Sequence, residues 1–289
     1  MNHKDGKFAG ARSESIYYRY WTPQEPARAV LLVAHGAGEH CGRYEHLAEF
    51  FTQQGFAVAA LDHSGHGHSD GVSGFVAAFD DYIDTLEIFQ RQVNTDLGPL
   101  PIILLGHSMG GLISARYLLD HQRDYVACVL SGPAIKSDLE PGFVQMTIIR
   151  LLSALIPKAG VLQLDANDVC RDPEVVRKYK EDPLVHHGKL SARLVEELFK
   201  AMNKVQVGAH TLSLPMLMLH GSEDKMASPA GSHFLNDNIA STQKEMKIYP
   251  GLYHEIFNEP EHPQVMRDIL DWLESALELP RRAVGGSQL

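Results

Sequence analysis

Cysteine is scarce in this 289-residue chain: Cys41, Cys128 and Cys170 are the only three, and none stands in a CxxC spacing. Three cannot all pair, so neither a disulfide framework nor a zinc site is indicated, and a reducing compartment fits best. Basic charge is short as well. The 26 Lys and Arg residues face 36 Asp and Glu, a formal charge of −10. That balance argues against a nucleic-acid partner and against adhesion to anionic lipid by charge alone. Any attraction to lipid has to be apolar. Long hydrophobic runs are missing too, since nothing approaches the roughly eighteen residues of a membrane span. The N-terminal "MNHKDGKFAGARSESIYYRYW" has no apolar segment of the secretory kind. The expectation is a cytoplasmic chain, peripheral at membranes if it meets them at all.

What is present is an ordinary globular composition, 44% hydrophobic and 21% charged, enough for one large core or a core plus an insert. Apolar runs at residues 29–35, 56–62, 101–107, 125–132 and 215–221 are continuous rather than alternating, as strands buried on both faces of a parallel sheet require. Residues 244–251 read as a last strand. Helical patterns near 41–54, 78–96, 109–122, 228–239 and 262–277 complete a βαβ rhythm. It breaks once, between about 134 and 207, where no convincing strand is visible and helix-like segments follow one another. The expected organisation is therefore a core from 1–133 and 208–279, a helical insert at 134–207, and a loose tail at 280–289.

The chemistry is concentrated in "GHSMG", residues 106–110, which fits G-x-S-x-G between a strand and a helix. In that setting a serine sits on a strained turn with its oxygen projecting from the sheet edge. Gly106 and Gly110 permit a close strand–helix approach that a Cβ would obstruct. The helix start beyond them favours developing negative charge. Ser108 is thus the candidate nucleophile, with an idle serine in a glycine-bounded turn as the plain alternative.

A serine hydroxyl needs a base, and the base needs an orienting acid. The chain order expected for this fold is Ser, Asp, His. "LMLHGSEDKMASP" places Asp224 after an apolar strand, and "IYPGLYHEIFNEP" places His254 after the last one. Glu223 is the nearest rival acid. His107 and His220, at strand ends, read as structural hydrogen-bonding residues; His233 and His262 read as surface or capping ones. For the oxyanion, the backbone N–H of Met109 and one from the loop "HGAGEH", best Ala37, are the expected donors. In "DHSGHGHSD", His66 and His68 beside Asp62 and Asp70 invite a metal reading. Glycine-separated histidines on a loop lack the converging ligands and supporting hydrogen bonds of a metal site. Neither metal nor cofactor is expected.

Together, "HGAGEHCGRYEHLAEFF", "LDHSGHGHSDG", "LLGHSMGG", "LHGSEDK" and "YPGLYHEIFNEP" resemble the monoacylglycerol lipase group of the α/β-hydrolase superfamily, which is also placed with the serine aminopeptidase-like lysophospholipases. The likeness runs over about residues 29–275 and is weakest in the insert. It implies a metal-independent serine hydrolase that frees a fatty acid and glycerol from monoacylglycerol, with the insert as a cap over an acyl tunnel. It further implies a polar glycerol pocket, whose matching positions here are Glu39, Arg43 and Tyr179. Glu39 and Arg43, four apart, could equally form a plain ion pair. Two positions depart from the pattern: Phe257 stands where some members carry a pocket histidine, and "DKMAS" lacks a cysteine found in some members after the aspartate. A broad carboxylesterase or lysophospholipase using the same three residues, and a ligand-binding module without catalysis, are the other readings.

One segment bears on the substrate. In "FVQMTIIRLLSALI", residues 143–156, Val144, Ile148, Leu151 and Leu155 share a helical face and are expected to pack inward over the acyl chain. Met146 and Ile149 are then expected to face micelle or membrane, with burial of the whole segment as plain core as the alternative.

Overall fold

In the computed structural model, residues 1–137 and 142–277 are described. In chain order the elements begin with β1 (Asn2–Ala9), β2 (Ser15–Thr22), β3 (Ala29–Ala34), α1 (Glu45–Gln53), β4 (Phe56–Leu61) and α2 (Asp80–Leu97). Then come β5 (Ile102–His107), α3 (Met109–His121), β6 (Ala127–Ser131), α4 (Phe143–Leu155), β7 (Gly160–Leu162) and α5 (Pro173–Glu181). The last are β8 (Leu190–Ser191), α6 (Ala192–Gly208), β9 (Met216–Gly221), α7 (Ala230–Asn238), β10 (Lys244–Tyr249) and α8 (His262–Ala276). Eight strands form one sheet in the order β1-β2-β4-β3-β5-β6-β9-β10. From β4 to β10 every neighbouring pair is parallel. β1 and β2 join antiparallel at one edge.

The continuous apolar runs are explained by two cores, one on each face of the sheet. Val30, Leu32 and Leu104 point to one, and their neighbours Leu31, Val33, Ile103 and Leu105 to the other. Each fully buried aliphatic side chain contributes about 1.5–3 kcal/mol, so these central strands fix the register of the whole sheet. β3 lies between β4 and β5, so the chain leaves it to one side and returns on the other. The crevice outside the C-terminal ends of β3 and β5 is such a reversal point, the place where open α/β sheets bind ligands.

The strand and helix expectations in the core hold within a few residues, and this is an α/β-hydrolase fold. Two things differ. The chain starts with a β1–β2 hairpin, where only the absence of an apolar leader had been read. The stretch between β6 and β9 is not free of strands: β7 and β8 pair antiparallel, a bridge of three residues against two, too short to carry a periodic signal. The expected loose tail, 280–289, lies outside the described residues.

Candidate active site

Ser108 stands between the end of β5 and the first residue of α3 with φ 54 and ψ −118. A positive φ in a non-glycine residue costs about 1–3 kcal/mol. Among the described residues only Ser13 shares it. The surrounding glycines make the turn possible: a Cβ on Gly110 would lie 2.0 Å from the Ala34 carbonyl oxygen, and one on Gly106 2.4 Å from Ser114 Oγ. The turn is held from both sides. The Ser108 N–H donates to the Ser131 carbonyl at 2.9 Å, and the Ser108 carbonyl accepts from Ala134 N–H at 3.1 Å.

Asp224 follows β9 and His254 follows β10, so both emerge at the same sheet edge as Ser108. His254 Nδ1 donates to Asp224 Oδ2 at 2.6 Å. The other carboxylate oxygen accepts from the N–H groups of Met226 at 2.8 Å and Ala227 at 2.9 Å. Burial opposes ionisation of Asp224, but the charge of His254 and the hydrogen bonds of two histidines hold it well below the usual carboxylate range. Burial would lower the His254 pKa, yet the Asp224 charge and hydrogen bond outweigh it, and the imidazole is a stronger base than usual. Gly132 lies against the pair: a Cβ there would be 3.3 Å from both Asp224 Oδ2 and His254 Nδ1. Glu223, the rival acid, points to solvent.

The loop after β3 runs against the serine. A Cβ on Gly36 would lie 3.1 Å from Ser108 Cβ, which places Ala37 beside the turn, while Met109 opens α3 where helix N–H groups lack intrahelical partners. Glu39 pins this loop, accepting from Gly36 N–H at 2.6 Å and from the Tyr44 hydroxyl at 2.8 Å. Arg43 then connects three separate pieces of chain. It donates to Glu39 Oε2 at 2.9 Å, grips both oxygens of Glu255 at 2.5 and 2.6 Å, and stacks its guanidinium 4.7 Å from the centre of the Tyr179 ring. Glu255 adjoins His254 in the chain, so one cation braces the loop carrying Ala37 and the loop carrying His254. Burial raises the Glu255 pKa, but Arg43 more than compensates and the carboxyl stays below its ordinary value. The space enclosed by Glu39, Arg43, Tyr44, His107, Glu255, Phe257 and Asn258 is about 10 Å³, the scale of one water molecule.

Residues 166–190 are stitched to the same two loops. His186 N–H donates to the Gly38 carbonyl at 2.7 Å, and His40 bonds Asp182 at 2.9 Å. On the other side Glu255 N–H donates to Val169 O at 2.8 Å, and Arg171 pairs with the fully buried Glu259 at 3.0 Å.

A family description, serine aminopeptidase, S33, matches residues 25–261. Over 270 residues the chain is 42% identical to a monoacylglycerol lipase of Mycolicibacterium smegmatis, which covers 93% of this chain and 96% of that protein. This chain belongs to the monoacylglycerol lipase group of the α/β hydrolases. It is a carboxylic ester hydrolase of the serine class. A monoglyceride lipase of Rattus norvegicus is 32% identical over 281 residues, 96% of this chain and 91% of that one. The crystal structure of the Paleococcus ferrophilus monoacylglycerol lipase has a TM-score of 0.80 at 29% identity, covering 96% of this chain and all of that one.

The helix α4 faces opposite to expectation. Val144 (68% exposed), Ile148, Leu151 and Leu155 (79% exposed) point to solvent, so they line no interior acyl site here. Ile149 instead packs against the core, and Met146 and Arg150 line a cavity of about 460 Å³ with Phe199 and Met202 of α6. α4 is apolar nearly all round, and α6 meets the side bearing Met146 and Ile149. Among the described residues no three His, Cys, Asp or Glu side chains converge around His66 and His68. His66 is buried, with Nδ1 3.0 Å from the Ser64 carbonyl, and His68 N–H donates to Asp62 Oδ2 at 2.8 Å. Sequence reasoning missed Glu255 entirely; it read His220 as a structural hydrogen-bonding residue, which its bonds to Ser232 and Ala227 bear out, but not its contact with Asp224.

Proposed function

We propose that this chain hydrolyses the carboxylic ester of monoacylglycerols through an acyl-enzyme on Ser108. Ser108 Oγ attacks the ester carbonyl while His254 Nε2 takes the hydroxyl proton. The N–H groups of Met109 and Ala37 receive the oxyanion. Collapse expels glycerol, which takes the proton from His254; water then repeats the sequence and releases the fatty acid. The observation that carries this is the strained Ser108 turn set at one sheet edge with the 2.6 Å His254–Asp224 bond. The alcohol reading draws on the named relatives. Glu39 and Arg43 already satisfy one another and Glu255, which favours bracing over direct contact with glycerol, with Tyr179 stacked behind them.

The exposed face of α4 supports transient contact with micelle or membrane. Val144, Ile148, Leu151, Leu155 and the adjoining Ile156 offer on the order of 5 kcal/mol of apolar burial, enough for reversible attachment. No helix among the described residues is long and apolar enough to cross a membrane.

The decisive experiment is fluorophosphonate labelling with a panel of monoacylglycerols, lysophospholipid and p-nitrophenyl esters. Ser108→Ala or His254→Ala alone is expected to lower kcat by on the order of 10⁶, with little further loss in the double variant. Substantial turnover by Ser108→Ala removes the assignment. Faster turnover of lysophospholipid than of any monoacylglycerol removes the alcohol reading. Equal losses on monoacylglycerol and on a p-nitrophenyl ester of the same acyl chain in Glu39 or Tyr179 variants establish the bracing role.

A further inference from the structure

Asp224 has a second histidine on it. His220 closes β9 with no solvent exposure, and its Nε2 lies 3.0 Å from Asp224 Oδ2, the same oxygen that His254 grips. The same Nε2 is 3.1 Å from the Ala227 carbonyl, and Nδ1 is 2.8 Å from the Oγ of Ser232, itself fully buried. Both partners of Nε2 are acceptors only, so that nitrogen carries the hydrogen and donates. The Ser232 hydroxyl can then complete the ring by donating to Nδ1. Asp224 is therefore met by two backbone N–H donors on Oδ1 and by His254 on Oδ2, with His220 Nε2–H as a fourth donor that Oδ2 shares with the Ala227 carbonyl.

We infer that His220 is a positioning residue for the reaction: it holds the Asp224 carboxylate in the plane His254 needs and takes part of its charge. Four donors arranged in two pairs leave the carboxylate no freedom to turn about its Cβ–Cγ bond. The two histidines also compete for one oxygen, and hydrogen bonds to a charged acceptor are the strong kind. A donor withdrawn from Oδ2 leaves more negative charge for His254, which makes the imidazolium easier to form and the free base scarcer at a given pH. The other groups that set the His254 potential are the His107 ring, 4.7 Å from the His254 ring between centroids, and the carboxylates of Glu39 and Glu255. No hydrogen bond or ion pair among the described residues joins any of these to His220, whose partners are Ser232, Ala227 and Asp224.

The inference rests on the catalytic reading of Ser108, Asp224 and His254, and the experiment separates the two. In the full chain, His220→Leu removes the donor at nearly constant volume and His220→Gln replaces it. With a soluble short-chain p-nitrophenyl ester, the acid limb of kcat/KM in His220→Leu is expected to move up by about one pH unit, the size of one charge-assisted hydrogen bond. kcat falls roughly tenfold at neutral pH with KM unchanged, because a smaller free-base fraction and a less firmly held imidazole slow the chemical step without touching substrate binding. His220→Gln restores the limb. Ser232→Ala, which loosens the ring without removing it, moves the limb the same way by less, and serves if His220→Leu does not fold. An unmoved limb in His220→Leu, or in Ser232→Ala where that variant stands in for it, overturns the inference. So does a loss in kcat that His220→Gln fails to repair. Activity surviving in Ser108→Ala would instead overturn the catalytic reading beneath it.

Discussion

Removing the guanidinium of Arg43 while keeping its bulk, as in Arg43→Met, leaves Glu39 and Glu255 buried without their cation. Both are about 4% exposed, and Arg43 supplies three hydrogen bonds to them. Breaking a buried ion pair by deleting one partner costs about 3–5 kcal/mol, which in a domain of this size corresponds to a fall in Tm of roughly 6–15 °C. The pH dependence is the diagnostic. In the wild type Arg43 keeps the Glu255 pKa low, so its contribution is present above the unfolded carboxylate range and is lost as pH falls. In Arg43→Met, burial without the cation pushes the Glu255 carboxyl above its unfolded value, so the folded state binds more protons and stability falls as pH rises. The deficit in Tm is therefore larger at pH 8 than at pH 5. Adding Glu255→Gln removes one stranded charge and recovers about half of it. A pH-independent deficit, a loss below about 1 kcal/mol, or a double variant no better than the single one would refute the argument.

Acid should weaken the protein through its buried neutral histidines. Burial, reinforced by His66, holds His63 down to about 3, and burial with the neighbouring His254 holds His107 down to about 4. Folded values below the unfolded one mean that the unfolded chain binds more protons, so stability falls with pH below about 6.5, with His63 alone accounting for about 2 kcal/mol at pH 5. Guanidinium denaturation at pH 5 and 7.5 checks this, and equal midpoints would contradict it. On α4, Ile148→Glu is expected to weaken liposome association and turnover of aggregated monoacylglycerol while sparing Tm and a soluble ester. Ile149→Glu, whose parent side chain packs against the core, should lower Tm and reduce activity on every substrate. The reverse pattern would restore the inward orientation of Val144, Ile148, Leu151 and Leu155.

The local code of a parallel sheet is easy to read, which is why β3 to β6 and β9 were visible as unbroken apolar runs, while β10, with Lys244, Glu245 and Lys247 in it, was visible only as the last strand of the rhythm. Ser108 and Asp224 followed because each stands just past such a run, and His254 because it stands in the loop after the last strand. The edge hairpin was not visible. β1, "NHKDGKFA", is almost wholly solvated, and only pairing with β2 makes it a strand. The orientation of α4 was illegible for another reason. Val144, Ile148, Leu151 and Leu155 form a clean stripe, but a helix with apolar residues on the opposite side as well carries no sign of which stripe is inside, and α6 decides it. Glu255 was unreadable because its partner Arg43 stands 212 positions away. His220 was noticed as a strand-end histidine. Its hold on Asp224, four residues on, depends on the turn that bends Oδ2 back toward it.

The stitching of residues 166–190 to both catalytic loops divides the segment between β6 and β9 into parts of unequal consequence. The half with α5 is a brace: through Gly38, Val169 and Arg43 it is bonded to the chain that carries Ala37 and His254. The half with α4 leans on α6 and touches neither loop in any of those bonds. Exchange of α4 between relatives is thus expected to change an exposed apolar surface and to leave the supports of the loops carrying Ala37 and His254 in place. Exchange of the stretch with α5 transplants the supports of the catalytic loops, and succeeds only if the partners of Arg43 and His186 travel with it.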